Sequence, residues 1–283
     1  MIGAFCRLFS ARLVRGGLVF AALIVPGPAL ADTKALLIGS DYITAADDKF
    51  RLANPVADIR LVADAMRHTS IDEITSVEEP DQREWRAAMT EFVESLSQDD
   101  IAVLYVAAHG FQVDGVNYFL SSDGTALIAL DPLLQQMTDR AKGAVVIVDA
   151  CRNNPIAAFG RDEKLSVVEI DDTTRSVQPI SLYDLANAGR GLSQVGNLRG
   201  LSAVVFFSTE PGNVAEDGAT PGMGSPFAKI FAREIRRRQS LDEAFRRTAV
   251  AVHKVTEGRQ SPWRQGDLPF NIFIAGMRTL PIP

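Results

Sequence analysis

Two stretches decide the fold of this chain: residues 105–110, Tyr-Val-Ala-Ala-His-Gly, and residues 146–155, Val-Ile-Val-Asp-Ala-Cys-Arg-Asn-Asn-Pro. Each is an apolar run typical of a buried strand, and each ends in one reactive side chain, the imidazole of His109 or the thiol of Cys151. If the runs are neighbouring parallel strands, both residues lie at the carboxyl ends, where open α/β sheets bind ligands. A Cys beside a His is a nucleophile beside its base.

The chain around these runs alternates strand-like and helix-like stretches. This alternation predicts an α/β fold with a mostly parallel central sheet and helices on both faces. Asn54 and Pro55 suit the N-cap and first position of the first helix. The predicted strands are 34–39, 71–77, 101–108, 116–120, 143–150 and 201–207, with a last strand at 271–274, and the predicted helices are 54–68, 80–96, 127–138, 225–238 and 241–255.

Residues 1–31 have the pattern of an export signal. Three Arg residues precede the nine-residue apolar run 17–25, and Ala29-Leu-Ala31 is a small-x-small cleavage site. A membrane anchor is the alternative, but a bilayer-spanning helix needs roughly 20 apolar residues. We therefore expect cleavage before Asp32, no stable membrane anchor afterwards, and a periplasmic or secreted protein in which residues 32–283 form one domain.

Charge and cysteine content restrict the function further. The chain from residue 32 has 26 Lys and Arg against 35 Asp and Glu, a net charge of −9, so nucleic acid is not an expected partner. Removal of the signal takes Cys6 with it and leaves Cys151 as a single thiol, which is either buried and inert or free and reactive. With three His residues in the chain, no zinc-type ligand spacing is present, and no metal or other cofactor is expected.

Residues 160–200 interrupt the alternation. The segment is rich in Asp, Ser and Thr and holds isolated basic residues, which is typical of a long exposed insertion. We interpret it as an insertion that is open to processing by cleavage after a basic residue.

The chemistry of a thiol nucleophile assigns provisional roles. His109 lowers the pKa of the Cys151 thiol and later protonates a leaving amine. The backbone N–H groups of Gly110 and Cys151 are candidates to stabilise the oxyanion. Taken alone, Cys151 is better interpreted as a core thiol and His109 as a structural histidine, but together these interpretations weaken, because both residues end apolar runs and both precede loop-forming sequence. Asp149, two residues before the Cys on the same strand face, either binds a basic substrate side chain or orients nearby backbone.

These motifs resemble the bacterial caspase-like peptidases, the orthocaspase and metacaspase side of the caspase family. Residues 149–155, Asp-Ala-Cys-Arg-Asn-Asn-Pro, are similar to the cysteine segment of that group, and His109-Gly110 after an apolar strand is similar to its histidine segment. Further similar segments run in order along the chain: 52–58, 112–120, 211–218, 225–227 and 258–263.

The resemblance implies a caspase-like fold, a dyad of His109 and Cys151, and a protein or peptide substrate. Metacaspases carry Asp where animal caspases carry Gln two residues before the Cys, and they cleave after Arg or Lys. Asp149 matches that position, and Asp58 falls where metacaspases keep a second acid of the same pocket, although an Asp near a helix start also has a plain dipole role. The resemblance also implies a monomer. Calcium binds some metacaspases, but no acidic loop here has recognisable ligand spacing.

Two features depart from the family pattern, and two other functions compete. Ala108 stands where the family usually has Gly, and extra residues precede the Gly-Arg-Gly-Leu stretch at 189–192. A binding or scaffold protein that keeps the fold without turnover is the first competitor, although both Cys and His are present. A cysteine hydrolase of esters or small amides is the second. The sequence favours a cysteine endopeptidase over both.

Overall fold

The computed structural model describes residues 32–113, 116–151, 164–168, 180–181, 198, 200–211, 213 and 215–275. The predicted export signal and most of the 160–200 segment therefore lie outside the described residues. The described strands are β1 (Thr33–Gly39), β2 (Glu73–Glu78), β3 (Ile101–Val113), β4 (Val116–Leu120), β5 (Ala126–Ala129), β6 (Gly143–Cys151), β7 (Lys164–Val168), β8 (Ile180–Ser181), β9 (Ala203–Phe207) and β10 (Trp263–Asp267). The described helices are α1 (Pro55–Met66), α2 (Gln82–Ser95), α3 (Leu130–Arg140), α4 (Pro226–Ile235) and α5 (Leu241–Val255), and Asp48–Phe50 forms a 3₁₀ turn.

The central sheet has the strand order β2-β1-β3-β6-β9-β10. Neighbouring strands are parallel except for β10, which runs antiparallel to β9. This arrangement confirms the predicted caspase-like α/β class with a mostly parallel sheet. Parallel sheets are covered on both faces, which explains why the central strands are almost entirely apolar.

Each face of the sheet has its own apolar core. Alternate residues of the strands point to opposite faces, so one face packs against α2 and α3 and the other against α1, α4 and α5. Trp85 stacks on Phe119 in the first core, with ring centroids 6.0 Å apart. In the second core Phe206 stacks on Phe245, at 4.3 Å. The two cores hold the strands rigidly, and the ends of the strands therefore have fixed positions.

Local capping explains where the helices begin. Asp81 accepts the N–H of Glu84 while the Glu84 carboxylate accepts the N–H of Asp81, which forms a capping box at α2. Ser225 and Ser240 cap α4 and α5 with their hydroxyls, which accept the N–H groups of Ala228 and Glu243.

Four sequence predictions of secondary structure are corrected. Strand β3 does not end at residue 108 but continues to Val113 and pairs with β4 from Gly110 onward. Residues 126–129 form strand β5, and α3 begins only at Leu130, because a short apolar run has no period that separates strand from helix. The last strand is the polar edge strand β10, and in the predicted strand 271–274 only an isolated bridge joins Phe273 to Ser240. The 160–200 segment contributes β7, parallel to β5, and β8.

Gly39 sets the distance between β1 and α1. A Cβ atom at this position would lie 2.8 Å from the carbonyl oxygen of Pro55 and 3.0 Å from the side chain of Ile59. Real Cβ atoms do not approach backbone this closely, so only Gly lets the first turn of α1 pack against the end of β1.

Replacing Gly39 with Ala is expected to destabilise the protein by about 1–3 kcal/mol, because the added methyl forces α1 away from β1. Chemical denaturation with an unchanged m-value measures the effect. Gly222→Ala is the comparison: its φ of +75° disfavours Ala, but no atom lies within 4 Å of the new methyl. An equal loss in both variants would show that the close approach at Gly39 has no energetic weight.

Candidate active site

His109 and Cys151 are Cα partners in the parallel ladder between β3 and β6. Residues 101–109 of β3 pair with β6, and from Gly110 the strand pairs antiparallel with β4 instead. The change of partner therefore falls directly after His109, and β6 ends at Cys151. Adjacent strands are about 4.8 Å apart, so the two residues sit side by side at the carboxyl edge of the parallel sheet.

The His109 ring is buried and has a defined proton position. Its Nε2 atom lies 2.8 Å from the carbonyl oxygen of Phe50. A carbonyl only accepts hydrogen bonds, so Nε2 carries the proton and Nδ1 holds the lone pair of the neutral ring. Nδ1 is buried and has no hydrogen-bond partner among the described residues. The ring thus presents an unused base.

Burial lowers the pKa of His109 to about 4, against the opposing effect of the Phe50 carbonyl. The ring is therefore neutral at neutral pH. A neutral imidazole with a buried free lone pair accepts a proton from a neighbouring acid, and the anion left behind stabilises the imidazolium. Sequence reasoning did not find Phe50, because a main-chain carbonyl leaves no signal in the residue type.

Gly110 follows His109 within β3 and is the register partner of Phe119. The prediction that a loop begins at Gly110 is wrong, because β3 continues to Val113 and pairs with β4. Its assignment as an oxyanion donor, with the N–H of Cys151, stays a prediction.

Asp149 forms the first part of an acidic pocket beside the two residues. It lies on β6 two residues before Cys151, and only 8% of its surface is exposed. Its Oδ2 atom accepts hydrogen bonds from the hydroxyls of Tyr105, at 2.9 Å, and Ser225, at 3.1 Å. Tyr105 could have been found from the sequence, since a tyrosine inside an apolar strand needs a partner for its hydroxyl.

Asp58 forms the second part. It lies on the first turn of α1 and is 2% exposed, and its Oδ1 atom accepts the N–H of Ser225 at 2.6 Å. Ser225 therefore bridges Asp58 and Asp149 through its backbone and its hydroxyl. The two positions predicted from the sequence do come together, through a helix N-cap that the prediction did not include.

The two carboxyl groups resist ionisation. Burial, and next the charge of Asp149, raise the pKa of Asp58 far above its usual range. Burial also raises the pKa of Asp149, although the hydrogen bonds from Tyr105 and Ser225 oppose it. Among the described residues no Lys or Arg forms an ion pair with either acid. Such a pair is costly to bury and would be stabilised by a cation from outside the chain.

Asp217, which follows β9 in the chain, adds a third acid. Its Oδ2 atom accepts the N–H of Ala53 at 2.6 Å, and burial raises its pKa. Its charge in turn raises the pKa of both Asp58 and Asp149. The pocket is therefore strongly electronegative whenever its acids are ionised.

Asn54 connects the loops that form this pocket. It occupies the N-cap position of α1, as predicted, but its side chain makes no capping bond. Instead its amide group donates to the carbonyl of Asp217 and accepts the N–H of Gly224 at 2.9 Å. Gly224 has a φ of +82°, and a Cβ there would lie 3.0 Å from Oδ1 of Asp58. Asn54 therefore ties the loop of Asp217 to Gly224, whose lack of a side chain lets the backbone lie against the Asp58 carboxylate.

Two classes of site are not found in the described part of the chain. No group of three or more His, Cys, Asp or Glu side chains there is arranged to hold a metal ion. Nor does any helix of those residues have the length and apolar character to cross a membrane.

Comparison with known proteins identifies the family of the chain and relates its fold to solved structures. The family model for the caspase domain, of the C14 peptidases, matches residues 32–273. The crystal structure of a protein from Geobacter sulfurreducens superimposes with a TM-score of 0.55 at 15% identity, over 87% of this chain and 95% of that one. At that identity the likeness shows the fold alone. No curated protein matches in sequence.

Asp58→Asn is expected to stabilise the free protein in a pH-dependent way. Because the folded pKa of Asp58 is raised above that of the unfolded chain, its ionisation destabilises the fold progressively as the pH rises above about 4. Asn cannot ionise, and its amide oxygen still accepts the N–H of Ser225. Thermal melts should show no gain at pH 4 and a gain that grows toward pH 9.

Asp64→Asn is the matched control, on the same helix. Asp64 is exposed and pairs with Arg236, so its variant should show no such gain. A gain for Asp58→Asn that is independent of pH would contradict the assignment of a buried, reluctantly ionised acid.

Proposed function

Because the chain belongs to the caspase-domain family of cysteine peptidases, we propose that it is an exported cysteine endopeptidase that cleaves after Arg or Lys. The observation that carries the proposal is the buried pair Asp58 and Asp149, which has no cation partner in the described part of the chain and lies beside the register pair His109 and Cys151. The protein substrate follows from the family, whereas the dyad and the basic preference are our proposal.

In the proposed reaction His109 is the base and Cys151 the nucleophile. The thiol proton moves to Nδ1 of His109, and the Phe50 carbonyl, which accepts the Nε2–H, stabilises the resulting imidazolium. The thiolate attacks the carbonyl carbon, and the N–H groups of Gly110 and Cys151 stabilise the oxyanion. The tetrahedral intermediate expels the amine, which takes the proton from His109, and water then hydrolyses the thioester.

The pocket supports a basic residue on the amino-terminal side of the cleaved bond, the P1 position. A guanidinium or ammonium group would supply the positive charge that Asp58 and Asp149 lack among the described residues and form charge-assisted hydrogen bonds with them. An acidic P1 side chain would add a further negative charge to a pocket already short of cations. Since burial raises both pKa values, affinity for Arg substrates should weaken as the pH falls.

Release of a fluorophore from short peptides ending in Arg, Lys or Asp tests the proposal. We expect turnover after Arg and Lys and none after Asp, and we expect Cys151→Ala to abolish it. Asp149→Asn should lower kcat/KM for the Arg peptide about 10- to 100-fold, the usual loss for a hydrogen bond to a charged group. The exposed-acid variant Asp64→Asn should match the wild type.

The other outcomes separate the competing functions. Turnover after Asp alone would refute the roles of Asp58 and Asp149. Hydrolysis of small esters without cleavage of any peptide would favour the general cysteine hydrolase. Complete inactivity under reducing conditions, with and without calcium, would favour the scaffold protein. A denaturing gel of wild type beside Cys151→Ala also reports whether the 160–200 segment is self-processed.

Export and a monomeric state complete the proposal. The support for export is the signal-like sequence of residues 1–31, and the support for a monomer is the polar edge strand β10. On that edge Arg264 pairs with Asp242 and Asp267, which disfavours pairing with a second copy. Protein recovered from outside the cytoplasm should begin at Asp32 by mass spectrometry and have a monomer mass by light scattering. An intact amino terminus or a dimer would refute the respective part.

A further inference from the structure

The connection between β1 and α1, residues 40–54, is held by the carboxylate of Glu79. Oε1 of Glu79 accepts the N–H of Asp41 at 2.6 Å, and Oε2 accepts the N–H of Tyr42 at 3.1 Å. Tyr42 itself has a φ of +63°, a left-handed conformation that is unfavourable for a residue with a side chain. Two main-chain bonds to one carboxylate offset this cost and fix the conformation of the loop.

Glu79 is in turn anchored to the rigid part of the fold. Its N–H donates to the carbonyl of Gly39 at the end of β1, at 2.8 Å. Its carbonyl accepts the hydroxyl of Ser122, at 2.7 Å, from the turn between β4 and β5. Glu79 also has a positive φ, +52°, so its main chain is in the left-handed region as well. The carboxylate is therefore a fixed support and not a mobile surface group.

Tyr42 transmits this support to His109. The Tyr42 hydroxyl accepts the backbone N–H of His109 at 2.7 Å and lies 3.2 Å from the Leu120 carbonyl, to which it donates. The two rings are also in contact, with centroids 4.6 Å apart and planes inclined by 35°. Tyr42 is completely buried. It thus holds both the main chain and the ring of His109.

The same loop also supplies the carbonyl that fixes the His109 tautomer. Phe50 belongs to this loop. The N–H of Leu52 donates to the carbonyl of Asp41 at 3.1 Å, which links the part of the loop around Phe50 to the residues whose N–H groups Glu79 accepts. Two of the contacts of the imidazole, the Tyr42 ring and the Phe50 carbonyl, therefore depend on one loop conformation.

From these contacts we propose that Tyr42 and Glu79 are positioning residues for the proposed peptidase reaction. Tyr42 acts by direct contact with His109, and Glu79 acts through the loop that carries Tyr42 and Phe50. Neither residue touches the substrate. The inference rests on the proposed function, because it gives the two residues a purpose in proton transfer by His109.

The expected signature is a loss in the chemical step without a loss in substrate binding. Small displacements of a catalytic group reduce the rate strongly, whereas the acidic pocket is formed by other side chains. Tyr42→Phe keeps the ring and removes the hydroxyl, and Glu79→Gln keeps the shape and removes one of two acceptors. For an Arg peptide, kcat should fall about 10- to 100-fold in each variant, with KM within about threefold of the wild type.

A second measurement reports on the dyad without turnover. At pH 6 an ordinary thiol, with a pKa near 8.5, is almost fully protonated and reacts slowly with iodoacetamide. Peptide mapping by mass spectrometry follows alkylation of Cys151 in the full chain and separates it from Cys6. Cys151 of the wild type should react faster than a free cysteine, and Tyr42→Phe and Glu79→Gln should lose most of that excess.

The control is Glu78→Gln, the neighbouring acid, which forms a surface pair with Arg60. It should leave kcat, KM and alkylation unchanged, and Glu79→Ala should be more severe than Glu79→Gln, because it removes both acceptors. If the wild type neither cleaves Arg peptides nor shows enhanced alkylation, the proposed function fails. If the wild type does both and Tyr42→Phe and Glu79→Gln match it, or raise KM alone, the positioning role is overturned.

Discussion

The parallel ladder between β3 and β6 is the constraint on which the rest of the site depends. It ends where His109 faces Cys151, because β3 leaves β6 for β4 at Gly110. The two cores beneath and above the sheet bury residues 101–111 of β3 and 143–150 of β6, so these strands have little freedom to shift. His109 and Cys151 are therefore neighbours through the pairing of the strands themselves.

The acidic pocket, unlike the ladder between β3 and β6, weakens the fold in which it lies. Asp58 and Asp149 are buried near each other. Burial raises the pKa of both carboxyl groups, and the charge of Asp149 raises that of Asp58 further. A protein selected for stability alone would replace them with neutral residues, since buried charges without partners weaken the folded state. Their presence next to His109 and Cys151 is the feature on which the proposed preference for a basic substrate rests.

Much of this was accessible from the sequence, for definite physical reasons. Long apolar runs and helical periods located most strands and helices, and the reactive residues were visible because they end such runs. The errors fell where those signals are weak: β10 is a polar edge strand with one partner, and β5 is a short apolar run joined directly to α3. Asp58 and Asp149 were identified, but Ser225, which bridges them, was not, because a helix N-cap explains that serine fully without any site.

The contacts that escaped prediction have a common character: they join side chains to distant main chain. Glu79 accepts N–H groups at positions 41 and 42, Asp217 accepts that of Ala53, and the Asp41 carboxylate accepts that of Val56, at 2.9 Å. Carboxylates thus bind both ends of the loop at residues 40–54. One end of that loop contacts His109 through Tyr42 and the other borders the acidic pocket through Asn54. A single segment therefore contacts both His109 and the acidic residues, and a change in its conformation would alter the surroundings of both.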